Sequence, residues 1–550
     1  MGKKLPINFR RIFVLLLVIV AFSAYKLGEG NSFAISRNID IFASLFKEVN
    51  TYYIEDIDPD ELAEIGINAM LESLDPYTNY IPAEKMERYT KLTTGEYFGI
   101  GAKMEEIAGK KMITMPMRGY SAHKNGLQIG DELVAIDGNY VVDKSIDYIN
   151  TLLKDADKST VKFRIQKYGT GKLEEISLQK GVVKIKNVPF YGKIDETTGY
   201  IKLSEFTYGA SDEVKNALLA LQAQGINSLV LDLRDNPGGL LNEAIDVSNL
   251  FIEKGKEIVR THGKIVEWNK TYKSLNNPVD IHIPLAVLLN ENSASAAEIV
   301  AGVLQDYDRA VLIGQKSFGK GLVQATRTLS HNAKLKITTA KYFIPSGRCI
   351  QSIDYDWDQN ASHNKTYATT NGRKVYDGQG IVPDVAVQEV ESSALYQALV
   401  DEGLIFEYAN WYGYKHIKSA PDNAEKFYLS NEDFQYFVDW VKNKKLDYST
   451  NLEQSLAIFE KEVKSSKSSA TLNKSLENIK VELNNLKQQE MNQYGPQIKN
   501  LLEEEIAARF YLQDGIYQLS LRHDPEILKA ARVLHNNSGY NSILRISTRL

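Results

Sequence analysis

The stretch LAVLLNENSASAAEIVAGVLQDYDRAVLIGQKSFGKGLVQ (Leu285–Gln324) decides the reading of this chain. An apolar run, Leu285 to Leu289, reads as a strand and ends in a polar turn. The turn delivers Ser295 to the start of a helix. A second apolar strand, Val311 to Ile313, leads into the loop Gly319-Lys320-Gly321. Strand, helix and strand in succession are α/β patterning. A serine at a helix N-terminus and a lysine set between two glycines are a candidate nucleophile and base. If they pair, the chain is a hydrolase that works without histidine.

The same alternation extends outward over residues 183–390. GYIKLSEF (Gly199–Phe206) reads as a strand and Asp212–Gln224 as an amphipathic helix. SLVLDLRDNPGG (Ser228–Gly239) is a buried strand that breaks at Pro237-Gly238-Gly239, and Leu240–Phe251 is again helical. In such sheets the sites lie at the strand ends. Residues 96–182 are strand-rich and punctuated by glycine. There YFGIGAKM (Tyr97–Met104) puts a Gly-Ile-Gly loop before a strand, and NGLQIGDELVAIDG (Asn125–Gly138) gives a turn, a strand and an Asp-Gly hairpin turn. Ser145–Lys154 reads as a helix and VKFRIQK (Val161–Lys167) as a strand.

Residues 35–95 read as helical, with Ile39, Phe42, Leu45 and Phe46 at helical spacing, then Leu62, Ile65, Met70 and Leu71. This region is either a cap on the main body or a dimerisation arm. Residues 391–550 are helical and polar, with a stripe at Leu472, Leu476, Ile479, Leu483 and Leu486 broken by Gly495-Pro496. The stripe is short, so a helical hairpin against the body is expected. The sequence assigns this extension no role.

The 550 residues suit about two to four domains. Sixty-five basic residues against 70 acidic ones give a net charge of -5, and nothing points to nucleic acid. Cys349 is the only cysteine, which excludes an intrachain disulfide and a cysteine metal site. At the N-terminus, Lys3, Lys4, Arg10 and Arg11 precede the apolar run Ile12–Tyr25. A basic flank before a short apolar segment is the secretory pattern. At about 14 residues the run falls short of the ~20 that span a bilayer comfortably. Residues 1–30 therefore read either as a cleaved signal or as a retained membrane anchor. In both cases the bulk of the protein lies outside the cytoplasm.

Acyl transfer needs a nucleophile, a base, an orienting group and an oxyanion hole. Ser295 is the candidate nucleophile, although a serine there also serves as a plain helix N-cap. The amides that open the following helix face any oxyanion that develops. Lys320 is the candidate base, provided burial lowers its affinity for the proton; Phe318 and Leu322 are its apolar neighbours. Its plain alternative is a surface lysine in a glycine turn. Gln324, four residues on, can hold the amine or stand exposed. Gly238 and Gly239 either offer an oxyanion amide or form a simple strand-to-helix turn. The eight histidines form no pattern with Ser295, and G-x-S-x-G, H-E-x-x-H and Walker-type loops are absent from the sequence.

Ordered blocks along residues 35–390 resemble the carboxy-terminal processing (tail-specific) proteases. They are LDPYTNYIP, YFGIGAKM, GLQIGDELVAIDG, GYIKLSEF, LDLRDNPGG, NENSASAAEIVAGVLQD, KSFGKGLVQ, KYFIPSGRCIQ and DGQGIVPDV. The resemblance implies a ClpP/crotonase-like α/β protease core over 183–390. It also implies an inserted β-rich PDZ domain over 96–182, an N-terminal helical arm and a C-terminal all-α extension. It places the nucleophile on Ser295, the base on Lys320, an orienting glutamine on Gln324 and the oxyanion amides on Gly239 and Ala296. Gly99, Ile100, Gly101 and Ala102 would offer amides to the carboxylate of a bound peptide C-terminus.

The partners so implied are protein substrates held by their C-terminal peptides, the membrane if the N-terminal segment is retained, and a second copy through the N-terminal helices. No cofactor and no metal is implied. Two departures stand out. Ala297 replaces a serine common in the nucleophile motif. In YSAHKNGL (Tyr120–Leu127), Ser121 stands where proline is usual and Asn125 where alanine is typical. The competing readings are a non-catalytic PDZ scaffold of the cell envelope and, on the same kind of core, an acyl transferase.

Overall fold

The computed structural model describes residues 32–153, 158–353, 365–388, 393–444, 446, 448–465 and 470–546. The apolar run at 12–25 lies outside the described residues. Among those described, no helix is long and apolar enough to cross a membrane.

The chain divides into two compact units, residues 1–80 and 81–550. In the first, residues 32–52 are helical and a second helix runs Pro59–Glu72. Asp58 caps the second helix by accepting from the amides of Asp60 and Glu61. Both helices keep large apolar side chains exposed, among them Phe33, Ile39, Phe42, Leu45 and Met70.

The second unit is built on a six-stranded sheet. In spatial order its strands are Phe190–Lys193, Thr198–Lys202, Ser228–Asp232, Leu285–Leu289, Val311–Gly314 and Val385–Ala386. All neighbours are parallel except the first pair. The three central strands are buried along their whole length. That is why they read as unbroken apolar runs rather than as alternating ones: a parallel sheet is covered on both faces.

The two covers come from different parts of the chain. Leu229, Leu231, Leu285, Val287 and Leu289 face the helices Ala210–Ala223, Leu241–Asn249 and Ala296–Asp306. Val230, Ala286, Leu288, Val311 and Ile313 face Leu521, Ile527, Ala530, Leu534 and Tyr540, from the last helices of the C-terminal extension. The extension thus supplies half of the cover that the core sheet needs. It also has a core of its own around Leu399, Ile405, Tyr408, Phe437, Leu502 and Ile506. The hairpin expected from the Leu472–Leu486 stripe is present as helices Asn451–Ser465 and Ala470–Gln493. Leu476 is buried, but Ile479 and Leu486 stay half exposed.

A second sheet joins Lys270–Lys273, Glu257–Gly263, Lys334–Phe343 and Leu322–Thr328, all antiparallel. The segment 315–321 leaves the core sheet at Gly314 and enters this one at Leu322, so Lys320 sits at the junction.

Residues between 96 and 184 form a β-rich body with its own core of Ile100, Ile113, Leu133, Ile136, Ile149 and Phe163. The chain enters and leaves it through one antiparallel pair, Glu96–Gly99 with Gly181–Lys184. Asp137 and Gly138, both at positive φ, close the hairpin that the Asp-Gly pair predicts. The helix at Ile146–Leu153 and the strand at Thr160–Gln166 also form.

Candidate active site

Three loops leave the C-terminal ends of adjacent parallel strands and meet. They are 233–240 after Ser228–Asp232, 290–295 after Leu285–Leu289, and 315–321 after Val311–Gly314. Open α/β sheets place their sites at this edge.

Ser295 occupies the N-cap of the helix Ala296–Asp306, every residue of which is buried. Its backbone is at φ 54° and ψ -112°, in a region that non-glycine residues rarely adopt. Several bonds hold this sharp turn. The Ala294 amide donates to the carbonyl of Asn236 (2.9 Å), and the Phe318 amide to that of Ser293 (3.1 Å). Ser293 Oγ donates to the carbonyl of Leu233 (2.8 Å). Asn292 Nδ2 donates to Asp235 Oδ1 (3.0 Å), so Asn292 and Ser293 both tie this loop to the 233–240 loop.

Glu298 holds the centre. It is fully buried. Its Oε2 accepts from the amides of Ser295 and Lys320, both at 2.8 Å. Its Oε1 accepts from the Gly319 amide (2.7 Å) and from Ser317 Oγ (2.5 Å). Burial pushes the Glu298 carboxyl up to about 7 against the pull of these donors. A second tie comes from Tyr342, whose hydroxyl donates to the carbonyl of Lys320 and lies 3.2 Å from that of Ser295.

Sequence reading missed both of these residues as parts of the site. The signal for Glu298 was present, since Ser-x-x-Glu before an apolar run is capping-box spacing. Its reach to the lysine loop was not legible. Tyr342 carried no local signal at all.

Gly238 and Gly239 divide their labour. Gly238 is at φ 94°, and a Cβ there would lie 2.7 Å from the Ala294 carbonyl oxygen and 2.8 Å from the Ala296 nitrogen. Only glycine fits so close to the turn. Its amide is taken by Asn236 Oδ1 (2.9 Å). Gly239 is bridged to Phe206, but the bridge uses the carbonyl of Gly238 and the amide of Leu240. The Gly239 amide stays outside it.

The remaining candidates are placed as follows. Leu322 beside Lys320 is buried but Phe318 is half exposed, so Phe318 does not supply the dry surrounding suggested by its apolar character. Gln324 donates its side-chain amide to Thr338 Oγ1 (3.3 Å) across the hairpin. In the β-rich body, Gly99, Ile100, Gly101 and Ala102 lead into the strand Ala102–Ile107, which lies at the edge of its sheet. Among the described residues no cluster of His, Cys, Asp and Glu is arranged to hold a metal.

A family model for "Peptidase family S41" matches residues 197–359, and one for "Probable PDZ-protease, C-terminal helical domain" matches 395–534. The chain is 34% identical over 341 residues to the "Carboxy-terminal-processing protease" of Bartonella bacilliformis, covering 61% of this chain and 77% of that one. It is also 34% identical over 307 residues to the "Probable CtpA-like serine protease" of Staphylococcus haemolyticus, covering 56% of this chain. There the match spans only 61% of the relative's length. Among solved structures, the "Photosystem II D1 C-terminal processing protease" aligns at a TM-score of 0.35 and 24% identity, over 63% of this chain and 92% of that one. That likeness is too low to bear on the fold. The chain belongs to the carboxy-terminal-processing protease family.

Proposed function

We propose that this chain is a serine endopeptidase that cuts protein substrates near their C-termini, with Ser295 as nucleophile and Lys320 as base. The observation that carries the reading is the shared bond to Glu298, which draws the serine turn and the lysine loop onto one carboxylate oxygen. In this reading Ser295 Oγ attacks the scissile carbonyl carbon as its proton passes to the neutral Lys320 amine. The tetrahedral oxyanion is met by the amides of Ala296 and Gly239. The lysine then gives its proton to the leaving amine, and water hydrolyses the acyl-enzyme. Gln324 would orient the amine once released from Thr338. The chemistry needs no cofactor.

The β-rich body would act as a PDZ domain and select the substrate tail. Its edge strand Ala102–Ile107 would accept an added strand, and the 99–102 loop before it would offer amides to the terminal carboxylate. The secretory pattern at residues 12–25 supports an envelope or extracytoplasmic location, with the N-terminal segment as the membrane link if retained. The exposed apolar faces of the N-terminal helices support a homodimer. A non-catalytic PDZ scaffold is not favoured, because a scaffold has no use for the strained Ser295 turn.

The test is cleavage of an unstructured protein tail by the purified chain and by Ser295→Ala and Lys320→Ala. Both variants should be inactive yet folded by circular dichroism. Full activity in either would sink the dyad.

A further inference from the structure

Two of the three site loops are also held from outside the protease core. Arg234 lies two residues before the Asn236-Pro237-Gly238-Gly239 turn. Its guanidinium is nearly buried and folds back on Asp232, with Nη2 at 2.6 Å from Oδ2. The same group reaches the C-terminal extension: Nη1 donates to Asp524 Oδ2 and to Glu526 Oε2, each at 2.7 Å. The other oxygen of Glu526 accepts from Gln315 Nε2 at 2.8 Å. Gln315 is the first residue beyond the strand Val311–Gly314 and opens the lysine loop. Asp524 in turn caps the helix Pro525–His535, its Oδ1 accepting from the amides of Glu526 and Ile527. The N-terminus of one helix thus grips the base of the oxyanion turn through Asp524 and Glu526, and the base of the lysine loop through Glu526.

The network is charged and largely buried, with Arg234 and Asp524 partly exposed. Asp232 is fully buried and Glu526 nearly so. Burial alone would raise the Asp232 carboxyl, but Arg234 and Lys202 hold it well below the usual carboxylate range. Buried ion pairs of this kind seldom stabilise a fold more than apolar packing would. The helix has apolar packing already, through Ile527, Ala530 and Leu534 on the sheet. Asp524 and Glu526 stand at the end of the helix that faces the edge where the two loops depart.

We propose that Glu526, with Asp524, is a positioning residue for the peptidase reaction. It fixes Arg234 and Gln315, and through them the oxyanion turn and the lysine loop. The C-terminal helical extension is then part of the catalytic apparatus. This rests on the peptidase reading of Ser295.

The test compares the full-length chain with Glu526→Gln, Glu526→Asp and Gln315→Leu. The last removes the lysine-loop arm, with a longer 3.5 Å bond to the Val387 carbonyl, and keeps the question open if Glu526→Gln fails to fold. The expected result is a fall in kcat of about tenfold or more for Glu526→Gln and Gln315→Leu, with KM within about twofold, because misplaced groups cost rate more than binding. Glu526→Asp should recover part of the loss. Hydrogen exchange should quicken in 233–240 for Glu526→Gln, and in 315–321 for both Glu526→Gln and Gln315→Leu, with the strands unchanged. Exchange at wild-type rates in these loops, or kcat within twofold in both variants, would overturn the proposal. An inactive wild-type chain would instead count against the peptidase reading, and the exchange data would still decide the clamp.

Discussion

The amides of Ser295 and Lys320 end on the same atom: each donates to Glu298 Oε2 at 2.8 Å. The two residues belong to different loops and to opposite ends of a helix–strand unit. One buried carboxylate oxygen is shared by both. Glu298 thus fixes the distance between turn and loop together with Tyr342 and the Phe318–Ser293 backbone bond, and substitutions at Glu298 should act on the reaction through geometry.

Glu298→Gln replaces an acceptor oxygen by an amide donor, while the four groups around it are all donors. At least one arm must let go. Cleavage should fall by about a hundredfold or more, the cost of misplacing a nucleophile and its base. Stability should drop by about 1–3 kcal/mol for each buried amide left unpaired. Steady-state kinetics and urea unfolding of the same preparation check both figures.

The pH dependence has a defined sign. Burial raises the Glu298 carboxyl to about 7, against an ordinary value of about 4.3 in the unfolded chain. The native state thus binds the extra proton between these values, and the contribution of Glu298 to stability is lost as pH rises through about 7. The loss is on the order of 4 kcal/mol. The stability difference between wild type and Glu298→Gln should therefore be larger at pH 5 than at pH 8. A difference that grows with pH would mean that the four donors outweigh burial.

Gly238→Ala tests the closeness of the turn to Ser295. The added methyl would sit 2.7 Å from the Ala294 carbonyl oxygen, on a backbone at φ 94°. Strain of about 1–3 kcal/mol is expected, with a displaced Ser295 and a large loss of rate. Differential scanning calorimetry and a cleavage assay would separate the two effects.

Removing residues 513–550 should leave a chain that does not stay soluble. Val230, Ala286, Leu288, Val311 and Ile313 would lose the helices that cover them. Burial of side chains of this kind is worth on the order of 2 kcal/mol each for the larger ones. The soluble fraction after expression, and the sedimentation profile of what remains, give the measurement. A soluble, folded truncation would show that the sheet tolerates one bare face.

Sequence alone determined the local elements and the ordered motifs. The apolar runs at Leu285–Leu289 and Val311–Ile313, the Asp137-Gly138 hairpin and the helix opening at Ser295 follow from periodicity, turn chemistry and capping, which act between near neighbours. The candidate residues Ser295, Lys320 and Gly239 were legible for the same reason: each sits at a recognisable break after a strand. Only the tertiary structure decided what joins them. Glu298 meets the lysine loop, Tyr342 spans two carbonyls, Glu526 reaches Arg234 and Gln315, and the C-terminal helices close the second face of the sheet. These contacts link residues far apart in the chain. They depend on which strand ends the sheet order brings together, and the local pattern of a sequence carries no record of that order.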